Sequence, residues 1–72
     1  MSELQSVLFN MDVWTPSQAL RWLRKHNLHP IKRGHAGQQF YHYRLKDPKQ
    51  FSRFRIKPIP GHHIELLIGF KK

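Results

Sequence analysis

The sequence predicts an α+β domain in which one helix packs on a small, mainly antiparallel sheet, in the order strand, helix and about three further strands. Three observations predict it. Thr15-Pro16-Ser17-Gln18 writes out a helix start, with a hydroxyl N-cap, proline at the first helical position and glutamine three residues after the cap. Segments that alternate apolar and polar side chains lie before and after it. A chain of 72 residues buries only about 60% of its unfolded surface, which leaves room for one helix on one sheet in a single domain, residues 1–72.

Residues 4–11 place Gln5, Val7, Phe9 and Met11 on one face and Leu4, Ser6, Leu8 and Asn10 on the other, as in a strand with a mostly apolar inner side. The helix runs from the Thr15 cap to about His26, with Asn27 as a left-handed stop. Along it Ala19, Trp22, Leu23 and His26 fall at i, i+3, i+4 and i+7, the stripe that packs on a sheet, with Leu20 at its margin. Trp14 and Trp22 are expected in the core. After Leu28-His29-Pro30, a short segment around residues 31–33 leads into Gly34-His35-Ala36-Gly37, whose two glycines suit a hairpin loop. The return strand, residues 38–46, turns Tyr41, Tyr43 and Leu45 one way and Phe40, His42, Arg44 and Lys46 the other.

Asp47-Pro48 caps a single turn ending near Phe51. In the strand that follows, Phe54 and Ile56 are expected to face in and Arg53, Arg55 and Lys57 out, three cations spaced roughly 6.5–7 Å apart. Pro58, Pro60 and Gly61 end it. Residues 64–70 read as a final strand buried on both sides and therefore central.

The charge is one-sided. No Asp or Glu occurs from Val13 through Lys46, where Arg21, Arg24, Lys25, Lys32, Arg33, Arg44 and Lys46 are positive, and Lys49, Arg53, Arg55 and Lys57 repeat the bias. The acids are Glu3, Asp12, Asp47 and Glu65, and the formal net charge is +9. Such an excess costs self-repulsion and is most simply explained by an anionic partner, nucleic acid first. With the helix over the Tyr41, Tyr43, Phe54 and Ile56 face, the open side carries Phe40, His42, Arg44, Arg53, Arg55 and Lys57, an aromatic ring in a basic field that suits phosphate contacts and base stacking. Lys32 and Arg33 extend this primary surface. Arg21, Arg24 and Lys25 make a secondary one, expected on the opposite side of the domain.

Other chemistries find little support. Without cysteine there is no disulfide, thiolate nucleophile or Cys-based zinc site. His26 and His29 are three apart, but Pro30 breaks helical geometry, and a cation-rich chain repels metal ions; His62-His63 is no better, so no metal and no cofactor is expected. Asp12, Asp47 and Glu65 are far apart in sequence and no Ser or Thr has a readable base partner, so catalysis is not expected. The longest apolar run, residues 64–70, is interrupted by Glu65 and far below the roughly 20 residues of a membrane span. Met1-Ser2-Glu3 lacks the cationic start of a signal peptide, so the expected setting is intracellular.

Trp14-Thr15, Ala19, Trp22-Leu23, His26 and Leu28, followed by Tyr43-Arg44, Pro48, Phe51, Phe54-Arg55, Gly61, Ile64 and Ile68-Gly69-Phe70, resemble a short module of bacteriophage and large DNA virus proteins. That module stands alone or forms a segment of head or particle-associated proteins. The resemblance covers roughly residues 7–70 and implies a viral origin, a compact α+β module and an association with the virion, with no catalytic residues. The link between helix and middle strand is usually acidic or mixed in that family. Here it reads Lys32-Arg33-Gly34-His35, which favours a nucleic-acid role. The expected function is therefore non-catalytic binding of DNA or RNA through phosphate contacts with weak sequence specificity; the alternative is a viral structural or adaptor module whose basic surface docks an acidic capsid or host protein.

Overall fold

A computed structural model describes residues 2–31 and 35–71. In chain order the elements are β1 (Ser2–Asn10), α1 (Pro16–Lys25), β2 (His35–Ala36), β3 (Phe40–Arg44), a 3-10 turn (Pro48–Gln50), β4 (Phe51–Ile59) and β5 (Ile64–Lys71). The strands form one antiparallel sheet in the order β2-β3-β1-β5-β4, and α1 packs on one face of it. The predicted class, one helix on a small antiparallel sheet, is the class observed. No helix of the described residues is long and apolar enough to cross a membrane.

The helix begins where its cap dictates. Gln18 N donates to Thr15 Oγ1 at 3.3 Å and Thr15 N donates to Gln18 Oε1 at 3.0 Å, so two otherwise orphaned donors are satisfied reciprocally. It stops at His26 and Asn27, the latter at φ 57°, a left-handed conformation that asparagine tolerates. Ala19 and Leu23 face the sheet and are buried with Val7, Phe9, Tyr43 and Ile64. Phe9 is the hub: its ring meets Trp14, Trp22 and Tyr43 edge to face at centroid separations of 5.1, 5.7 and 5.6 Å.

Three local departures from the sequence reading follow from backbone pairing. The ladder between β1 and β5 shifts between Leu4 and Ser6, so Gln5 is the extra residue of a bulge and Leu4 moves to the helix side. Gln5 is buried because its own groups are used: Nε2 donates to Lys46 O at 2.8 Å and Oε1 accepts from Ser6 Oγ at 2.7 Å. The expected loop at residues 34–37 instead supplies β2, which pairs His35 with His42 and Ala36 with Tyr41; Gly34 lies outside the described residues. Pro58 does not end β4, because β4 is an edge strand and a residue without an N–H is tolerated there.

The largest correction concerns β4. Residues directly opposed in an antiparallel ladder share a face. Val7 and Phe9 on the helix side oppose Leu66 and Ile64 of β5, which in turn oppose Lys57 and Ile59 of β4; by the same alternation Arg55 opposes Ile68 and Arg53 opposes Phe70. Arg53, Arg55 and Lys57 therefore lie on the helix side, and Phe54 and Ile56 face away from the helix, the reverse of the expectation. The cause is anchoring at both ends of the strand. Ile59 packs into the helix-side core, while Phe51 lies over Gly69 on the other face, and a register shift between Phe51 and Arg53 reconciles the two.

Candidate nucleic-acid interface

The cations of β4 stand on an exposed strand and pair with no carboxylate among the described residues. Arg53 lies over the Phe70 ring at 5.4 Å, a cation–π contact that props its guanidinium beside β5 without removing its charge. Arg55 and Lys57 continue the row at the strand repeat, roughly 6.5–7 Å per two residues. Between this row and the helix, Leu66, Ile68 and Phe70 of β5 are half-buried and form a floor.

The helix supplies the opposite wall. Trp14 Nε1 donates to His62 O in the β4–β5 turn at 2.8 Å, which ties the start of α1 to that end of the sheet. Val13, Trp14, Gln18, Arg21, Trp22 and Lys25 line one shallow cavity of about 400 Å³, so Arg21 and Lys25 lie on the same flank as Trp14, facing the β5 and β4 side. Arg24 follows the buried Leu23 by about 100° where Trp22 precedes it by the same angle, which puts Arg24 on the other flank. Arg21 and Lys25 thus line the cavity on the α1 flank toward β5 and β4, while Arg53 and Arg55 line a separate depression with Phe70, and Lys57 follows them along β4 on the same side of the sheet. The two basic surfaces expected on opposite sides of the domain share a side, apart from Arg24.

Phe40, His42 and Arg44 do not join them. They oppose Asn10, Leu8 and Ser6 on the face away from the helix, as their alternation predicts, but the β4 cations are on the other face. Across that open face Ile56, 56% exposed, opposes Leu67, which opposes Ser6, and the row of His42 continues through Leu8 to Glu65, while Phe54 is 44% exposed. Lys32 and Arg33 lie outside the described residues. His26, expected as a packed residue at the helix end, is exposed but stacks on Trp22 at 4.1 Å.

Acids do little to offset this charge. Among the described residues the ion pairs are Glu3 with Lys46 at 2.9 Å and Glu3 with Lys71 at 3.5 Å, on the margin of the sheet away from the groove. The hydrogen bond from Lys46, with the Lys71 charge nearby, holds the Glu3 carboxyl below its ordinary range against a smaller opposing desolvation. Asp47 accepts from Lys49 N to cap its turn. No three His, Asp or Glu side chains come together among the described residues.

Trp14 and Trp22 pack on the core as expected, yet each is only half-buried and lines the cavity, and with Val13 and Gln18 they form a surface that the sequence reading does not single out. The signal was present in the spacing: positions 14, 18, 21 and 25 recur at helical intervals beside the buried stripe. Comparison with protein-family models, with curated proteins and with solved structures gave no match.

Proposed function

We propose that this protein binds nucleic acid without catalysis, through phosphate contacts and with weak dependence on sequence. One observation carries the reading: Arg21 and Lys25 of α1 and Arg53, Arg55 and Lys57 of β4 share the helix side of the sheet, where a groove between helix and edge strand would take an anionic ligand, and no carboxylate pairs with any of them among the described residues. A cleft lined by one sign of charge over a low-dielectric floor focuses its field on an incoming polyanion. Gln18 is the one carboxamide among the side chains lining the helix cavity, and Arg21 and Lys25 beside it suit phosphate contacts that carry no sequence information.

The test is a titration of DNA and RNA at several salt concentrations. Affinity falls log-linearly with salt, by about 0.7 to 0.9 in the slope per phosphate contact, and varies little with sequence. Absence of binding at about 50 mM salt to either polymer refutes the reading. A second reading, an adaptor that docks an acidic protein of a virus or its host, is favoured by the exposed Phe54 and Ile56 on the open face. It is supported instead if an acidic protein is captured while nucleic acid is not.

A further inference from the structure

We infer that the cavity beside α1 is a stacking site for one unpaired nucleobase, so that the ligand of the groove is a single strand. The inference rests on the phosphate-binding reading and adds the feature that distinguishes strands from duplexes.

The cavity has the composition such a ligand needs. Its wall is mostly apolar: Trp14 and Trp22 meet Phe9 edge to face, Trp22 is also stacked by His26, and the indole surface left over turns to the cavity with Val13. Val13 is 51% exposed and gives the cavity an aliphatic rim. Arg21 and Lys25 stand at the same cavity and carry the charge that a base's own phosphates require. At about 400 Å³ the space holds a base with its sugar and is too open and shallow for a larger folded ligand.

Gln18 adds the one directional group. Its Oε1 already accepts from Thr15 N in the capping box, which fixes the carboxamide at the cavity and leaves Nε2 as its donor. Every base offers a carbonyl or ring nitrogen acceptor, so a single donor orients a base without selecting one. Stacking is equally tolerant, because every base has a π face. The site therefore raises affinity for an unpaired strand and leaves sequence preference weak. A base inside a duplex is stacked and paired and reaches the indoles only at the cost of being flipped out.

The experiment compares ligands of equal phosphate count on the full chain: a short oligothymidylate, the same length of abasic oligomer, and a duplex, each by fluorescence anisotropy across a salt series and by indole emission. Expected is about tenfold or greater preference for oligothymidylate over the abasic oligomer, at similar salt slope, with the indole emission changed by the first alone. Trp22→Phe, checked for folding by circular dichroism, narrows that preference, and the wild-type comparison stands even if this variant does not fold. Equal affinity for the abasic oligomer or the duplex, with unchanged emission, overturns the stacking site and leaves the phosphate reading intact. Failure of every ligand to bind removes both.

Discussion

Exchanging Arg53 and Arg55 for alanine removes two of the five cations at the groove while touching none of the buried core. With about 0.8 of slope per neutralised phosphate, five contacts give a slope near −4, so a fourfold rise in salt weakens binding about 250-fold. The double variant retains three contacts, a slope near −2.4 and a loss of about 30-fold over the same range. Arg21→Ala with Lys25→Ala is expected to lower the slope by a similar amount, because the helix pair lines the same groove. Arg44→Ala, on the other face, is expected to leave it unchanged. Stability is a small confound: exposed substitutions cost about 0.5 kcal/mol or less, and loss of the Arg53–Phe70 contact adds about 0.5–1 kcal/mol. Anisotropy titrations well below the melting temperature measure all three variants directly. A helix pair with no effect on slope, or an Arg44 effect as large as that of the β4 pair, refutes the single-groove argument.

Three further expectations test the scaffold. Trp22→Ala removes the edge contact to Phe9 and the stack on His26, and urea denaturation is expected to show a loss of about 3 kcal/mol; an unchanged midpoint places Trp22 outside the core. Gly69→Ala sets a Cβ 2.5 Å from Cγ of Phe51, which is only 5% exposed, so the ring must shift and stability should fall by about 1–3 kcal/mol on the same assay. Glu3 has a depressed folded-state pKa, so its contribution is present above the unfolded value and is lost as pH falls through the folded one. Melting temperatures from about pH 6 to 3 should therefore decline less steeply for Glu3→Gln than for the wild type, and identical profiles contradict the assigned role of Lys46.

Elements whose signal is local were legible in the sequence. The Thr15 cap, Pro16, Gln18 and the Asn27 stop are set by backbone chemistry within a few residues, and the helix they delimit is the one observed. Asp47 capping a single turn is another case. The alternation of β3 was read correctly because the helix covers it, so Tyr41 and Tyr43 must point inward. What could not be read locally is the parity of β4, since that depends on a bulge at its start and on partners far away in sequence. Ile59 was the missed clue. Lying between Pro58 and Pro60 it looked like part of a terminator, yet it is the β4 residue that packs into the helix-side core, and odd-numbered residues from 53 to 59 follow its face.

The width of the layers explains why cations can stand beside the helix at all. One helix is about 10 Å across, whereas five strands spaced about 4.8 Å apart spread over about 19 Å. α1 lies over Val7, Phe9, Tyr43 and Ile64, so it covers β3, β1 and the start of β5 and leaves residues 52–58 of β4 exposed at the sheet edge. On a covered strand, a register that aimed three cations at the helix would bury unpaired charge and be rejected; on β4 both registers keep the charge in water, and the anchors at Ile59 and Phe51 decide. The outcome changes the shape of the basic surface. Cations on the outer face would have made a flat row reached from one side. Placed on the helix side they share a side of the sheet with Arg21 and Lys25, so the potentials of the two groups add. A row on the outer face would leave Arg21 and Lys25 no part in binding, so their contribution to the salt slope is the consequence that tests this register.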